Sequence, residues 1–122
     1  MSHPPEFDIF TVTCPSRTSL ARIANKRTAM VVAALGDDTL RFTELRAAVA
    51  GISNKVLTVT LRHLERDGLV ARHVHDEVPP RVDYELTELG RTLRAPLEEL
   101  GRWADEHMER VLAARESYDA RL

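Results

Sequence analysis

A single cysteine is all the sulfhydryl chemistry this chain has, which excludes an intrachain disulfide framework. A small secreted domain would need such staples, so a reducing cytoplasm is the expected compartment. Long apolar runs are missing as well. None approaches the roughly 20 residues that span a bilayer, and the N-terminus lacks the basic-then-apolar layout of a secretory signal, so no membrane association is expected. Aromatic residues are scarce, at three Phe, two Tyr and one Trp in 122 residues, which argues against a large apolar cavity. The five glycines form no phosphate-cradling loop and no nucleophile elbow, and no cysteine–histidine–acid set stands out. The expectation is therefore a non-enzyme without a cofactor. Repeats and low-complexity segments are also absent, and the length suits one domain with one core.

What is present is an ordinary globular composition, 43% hydrophobic and 30% charged, with a formal net charge of −2. That charge is unevenly spread. Residues 1–40 are balanced at four basic and four acidic side chains. Residues 41–81 carry seven basic against five acidic, and residues 82–122 carry six against ten. The middle of the chain is thus the part suited to an anionic partner, and the C-terminal part is not.

Residues 1–10 hold two prolines and no helical pattern, the composition of an arm; 1–13 is taken as that arm and 14–117 as the folded unit. Leu20, Ile23, Ala24, Val31, Ala34 and Leu35 share one helical face over Leu20 to Leu35, closed by Gly36, and a turn with a short edge strand follows over Asp37 to Leu40. In the segment RFTELRAAVAGISNKVLTVTLRHLERDGLV, Phe42, Leu45 and Val49 repeat at helical spacing and Gly51 permits a tight turn. Ser53 suits the N-cap of a second helix whose Val56, Leu57, Leu61 and Leu64 form one apolar stripe, ended by Gly68. Leu69 to His75 and Arg81 to Leu86 alternate apolar and polar around Pro79-Pro80, giving two strands of a hairpin. Thr87 caps a further helix, in which Pro96 marks either a kink or the first turn after a break. Beyond it Leu97, Leu100, Ala104, Met108, Val111 and Leu112 keep helical spacing nearly to the end. The fold class expected is mainly α with a small β-hairpin, a winged helix–turn–helix. The long last helix either packs on a second copy or folds back on its own core; the first is preferred, because the winged core is already supplied by the other helices.

In such a fold the second helix of the pair enters the major groove of double-stranded DNA. With its apolar stripe inward, Ser53, Asn54, Lys55, Thr58, Val59 and Arg62 point out. Asn54 suits adenine, Lys55 and Arg62 guanine or phosphate, Thr58 a base or backbone oxygen, and Val59 a thymine methyl. Arg41 and Arg46 would lie near phosphates, and Arg81 would reach from the wing to the minor groove or backbone. An apolar outer face would have suggested a protein-interaction module instead. His73 and His75 share one face of a strand, but two ligands without a third do not make a metal site, and none is expected. Cys14 precedes Pro15 ahead of a helix, near Arg17 and Arg22, where helix amides and positive charge favour the thiolate; the other reading is a small inert side chain.

Cys14-Pro15, then GISNKVLT, LRHLERDGLV and EVPPRVDYELTELG in that order, closely resemble the HxlR family of bacterial transcription regulators, relatives of the MarR group. The resemblance covers about residues 14–105. It implies a winged-helix homodimer, paired through N- and C-terminal helices, that binds a near-palindromic operator, with repression as the outcome. Several family members sense electrophiles, aldehydes or oxidants through the cysteine that Cys14 matches. This chain has no resolving cysteine, so oxidation would have to cross the dimer, form a mixed disulfide or stop at an adduct. Two departures stand out. The family's Gly-Gly-Lys-Trp-Thr is here Ala24-Asn25-Lys26-Arg27-Thr28, so a charge replaces a large aromatic, which could open a pocket for a small-molecule effector. Val59 stands where the family has a polar residue, so an operator preference cannot be transferred.

Overall fold

A computed structural model describes residues 20–21 and 25–122. The elements with described bounds run α1 (Lys26–Leu35), β1 (Leu40–Arg41), α2 (Phe42–Ala48), α3 (Asn54–Arg66), β2 (Val70–His75), β3 (Arg81–Leu86), α4 (Glu88–Arg91) and α5 (Arg94–Asp119). This is the winged helix–turn–helix that the sequence pattern predicts. The proposed arm over 1–13 and Cys14 lie outside the described residues.

One boundary differs from expectation. The helix expected to run unbroken from Leu20 to Leu35 instead has an N-terminus at Asn25. Asn25 is extended (φ −131°, ψ 158°), and its Oδ1 accepts a hydrogen bond of 2.9 Å from the Thr28 amide. An asparagine that caps its own downstream turn competes with helix continuation, and apolar periodicity does not register that competition. Leu20, expected on the buried face, is exposed, whereas Val31, Val32 and Leu35 are fully buried.

The turn between α2 and α3 closes as Gly51 permits. Val49 and Ser53 are the flanking caps, and between them Gly51 takes φ 81°, a left-handed conformation that costs glycine little. Ser53 Oγ accepts from the Val56 amide at 3.1 Å. The buried side of α3 is Leu57, Thr60, Leu61 and Leu64, with Val56 only half-buried. Thr60 tolerates burial because its hydroxyl donates to the Val56 carbonyl at 2.8 Å. These side chains meet Val31, Val32 and Leu35 of α1, Leu45 and Val49 at the end of α2, and Leu69, Val70 and Leu86 of the sheet in one core.

The sheet is antiparallel in the order β1-β3-β2, so the hairpin gains the short edge strand beside it. Arg72 pairs with Tyr84 and His73 with Asp83 across the hairpin, while Leu40 and Arg41 pair with Tyr84 and Asp83 on the other side. Thr87 then joins sheet to helix. Its hydroxyl donates to the Gly68 carbonyl at 2.6 Å and accepts from the Gly90 amide at 3.0 Å. The chain breaks at Thr92–Leu93 and resumes as α5, where Pro96 lies in the first turn and its missing N–H costs nothing. An Arg94–Asp37 ion pair of 2.8 Å ties this turn to the loop after α1. No residue of α5 is buried; Leu97 alone of its stripe packs partly on the core, while Leu100 (58%), Trp103 (53%) and Leu112 (51%) stay exposed. The fold-back alternative for this helix is thus met only at its base.

Gly90 is the glycine with the least room, since an added Cβ would stand 1.9 Å from the Leu69 carbonyl oxygen. Gly90→Ala should therefore force helix and strand apart and lower stability by about 1–3 kcal/mol, the usual cost of overpacking. Urea unfolding checks it, and an unchanged midpoint would disprove the assigned contact.

Candidate nucleic-acid interface

Between its caps, α3 presents a second, outward side. Asn54, Lys55, Val59 and Arg62 are exposed there, with Ser53 at the cap. Thr58 is half-buried, and its hydroxyl donates to the Asn54 carbonyl at 2.7 Å, so its proton is committed to its own helix. Asn54 is joined to α2, because Arg46 Nη1 donates to Asn54 Oδ1 at 2.9 Å. Two of the expected contact residues are therefore one unit. The asparagine keeps its amide N–H groups for a partner, while its oxygen already faces a cation. Arg41 lies at the start of α2, where its backbone amide donates to Glu44 Oε1 at 2.9 Å. Among the described residues the side chains of Arg41, Lys55 and Arg62 form no salt bridge.

Arg81 is different. Its Nη1 lies 3.6 Å from Glu77 and its Nε 3.4 Å from Asp83, and that Nε is buried without a hydrogen bond. Asp83 is buried too, and His75 Nε2 approaches it at 2.7 Å. The charge at the wing's base is thus largely matched from within. A second pair, His73 Nε2 to Glu85 Oε1 at 2.8 Å, lies one step along the same sheet face. Thr39 donates to the other Glu85 oxygen at 3.2 Å. The hydrogen bond from His73, then that from Thr39, holds the Glu85 carboxyl below its ordinary range. His73 and His75 are each partnered by a carboxylate, and among the described residues no group of three or more metal-ligating side chains comes together.

Three residues outside the sequence-based set meet where α3 faces the hairpin. Glu65 of α3, Arg72 of β2 and Tyr84 of β3 line a polar cleft with Thr58, Leu61 and Arg62. Their spacing carries no local signal, because Arg72 and Tyr84 become neighbours only through the strand register. An apolar groove also runs between α1 and α5 along Ala29, Met30, Leu97, Leu100 and Ala104. Arg27 is exposed and does not line it, so the charge that replaces the family tryptophan faces elsewhere.

A helix pair of this geometry, with an exposed polar second helix and a hairpin wing, defines the helix–turn–helix class of transcription regulators. Residues 22–112 match the family model described as HxlR-like helix-turn-helix, and the chain belongs to that family. The HTH-type transcriptional regulator YtfH of Escherichia coli (strain K12) is 35% identical over 111 residues, covering 91% of this chain and 88% of that protein. The solved structure of the transcriptional regulator YtfH from Salmonella typhimurium is 37% identical with a TM-score of 0.82, over 91% of this chain and 99% of that one. The redox regulator HypR, solved in its reduced form, is 34% identical with a TM-score of 0.72, over 81% of this chain and 98% of that one. The protein is a helix–turn–helix transcription regulator. Among the described residues no helix is long and apolar enough to cross a membrane.

Proposed function

We propose that the protein acts as a homodimer that binds a near-palindromic operator in double-stranded DNA, with repression as the outcome. The observation that carries this reading is the outer face of α3, where Lys55 and Arg62 are exposed and form no ion pair among the described residues, beside Asn54 and Ser53. Unneutralised cations next to amide donors suit phosphates and base edges, whereas a protein-binding helix would expose an apolar stripe. Val59 is the one large apolar side chain exposed on that helix, and it suits a thymine methyl. Arg46 and Arg41 lie on the α2 side for backbone contact, and Arg81 gives the wing a partly neutralised cation. Selection of duplexes from a random pool tests the reading. Lys55→Ala and Arg62→Ala should each weaken the selected duplex by about 1–3 kcal/mol where a base pair is read, and by less at a phosphate. Full affinity in both variants at matched salt would overturn the assignment of α3.

The dimer is proposed from α5. Leu100, Trp103, Met108 and Leu112 are exposed on a helix of 26 residues, more apolar surface than one short domain leaves without a purpose. A second copy also supplies the second recognition helix that a weakly basic reader needs. Trp103→Glu should shift sedimentation toward a monomer and lower operator affinity with it; a dimer that persists in the variant would move the interface elsewhere.

Cys14 is proposed as a sensing thiol that responds to electrophiles or oxidants. The flanking Arg17 and Arg22 support it, as does the likeness to a redox regulator. Diamide or a quinone should lower operator affinity in the native protein, and Cys14→Ser should bind DNA without responding. A serine variant that still responds would leave the thiol structural, and a non-covalent effector would then be sought.

A further inference from the structure

Any helix seated in a major groove and any hairpin seated in the next minor groove have a sugar–phosphate strand between them, since that strand is the wall separating the grooves. In this fold the line between α3 and the wing passes over the polar cleft of about 230 Å³ lined by Thr58, Leu61, Arg62, Glu65, Arg72 and Tyr84. The cleft is built by tertiary structure. Arg72 and Tyr84 stand directly opposite in the β2–β3 register, and so on one face of the sheet. Arg62 and Glu65 are three apart on α3 and approach from the other wall.

The contents suit an anion with several acceptor oxygens. Arg72 Nε stands 3.6 Å from Glu65 Oε2, with both side chains a little over 40% exposed, a loose and solvated pair that a stronger anion can displace. Arg62 forms no salt bridge among the described residues. Burial pushes the Tyr84 phenol up and Glu65 adds to this, while Arg72 and Arg62 pull the other way; a phenol is neutral near pH 7 in any case, so its hydroxyl can donate. No base edge is needed to satisfy any of these groups.

We propose that this cleft is the seat of one backbone phosphate of bound DNA, with Arg62 and Arg72 supplying charge, Tyr84 donating its hydroxyl, and Glu65 holding Arg72 until the phosphate replaces it. The proposal rests on the DNA-binding reading above and adds a contact that is independent of sequence. It makes Arg72 and Tyr84 binding residues and gives Glu65 an opposing role, lowering affinity for every duplex alike.

The test uses the full chain, the selected duplex, a random duplex of equal length, and versions of the selected duplex with single phosphates neutralised as methylphosphonates. Arg72→Ala should lose about tenfold in affinity on both natural duplexes, the scale of one charge-assisted hydrogen bond, with the salt slope reduced by about one unit. One methylphosphonate position should weaken the native protein clearly and Arg72→Ala less, since Arg62 and Tyr84 remain on that phosphate in the variant. Tyr84→Phe keeps the packed ring, loses less, and should show a smaller penalty at the same position than the native protein; it carries the test if Arg72→Ala folds poorly. Glu65→Gln should tighten both duplexes. If every phosphate that matters to the native protein matters equally to Arg72→Ala and Tyr84→Phe, the cleft holds none, and the proposal falls while a loss in Lys55→Ala leaves the DNA-binding reading standing. Recovery of no duplex at all by selection overturns that reading, and this one with it.

Discussion

The seating of α3 governs the rest of the molecule. One side of this helix is closed by Leu57, Leu61 and Leu64, each no more than 4% exposed, so it cannot turn about its axis without bringing apolar surface into water. Burial of each such side chain contributes on the order of 1.5–3 kcal/mol. A rotation by even one residue position would expose part of that stripe and draw Lys55 or Arg62 toward the core, where an unpaired charge is far costlier. The cap at Ser53 and the left-handed Gly68 limit sliding along the axis in the same way. The outer face is thereby aimed by the inner one. α1, α2 and the sheet serve as the walls of the socket.

Much of this was legible in order along the chain, because the signals are local. Ser53, Gly68 and Thr87 are cap residues that act on backbone groups within a few positions, and the strand alternation needs only neighbouring residues. The structure adds detail where a local rule meets a competing one. Asn25 caps a helix in the middle of an apolar repeat, and Thr58 points outward by position yet turns its hydroxyl to the Asn54 carbonyl. What was illegible is pairing at a distance. Asp83 reaches Arg81 and His75, and Tyr84 stands opposite Arg72, only once the hairpin has chosen its register. The candidate contacts on α3 could be named from periodicity alone, whereas the degree to which each charge is already neutralised could not.

That distinction separates two groups among the basic residues of the middle segment. Arg72 and Arg81 belong to the sheet and sit beside Glu65, Glu77 and Asp83, while Lys55 and Arg62 belong to the helix face and Arg41 to its neighbour, and form no ion pair among the described residues. The exposed pairs Arg72–Glu65 and Arg81–Glu77 contribute little to stability, so their effect is on where positive potential is felt. The hairpin is muted and the helix is not. A formal excess of two positive charges over residues 41–81 is thus concentrated on the surface that would face a polyanion first.

The length of α5 has a mechanical consequence. At about 1.5 Å per residue its 26 residues make a rod of about 39 Å, rooted at the Thr92–Leu93 break by one ion pair and a half-buried leucine. Such a rod is a lever with a short arm in the core and a long arm outside it. A tilt of about ten degrees at the root carries the far end by about 7 Å, roughly two base-pair rises along a duplex axis. For any second copy gripping the long arm, small changes at the root become large changes of position, and the ratio of the two arms, more than the strength of any contact, sets the gain.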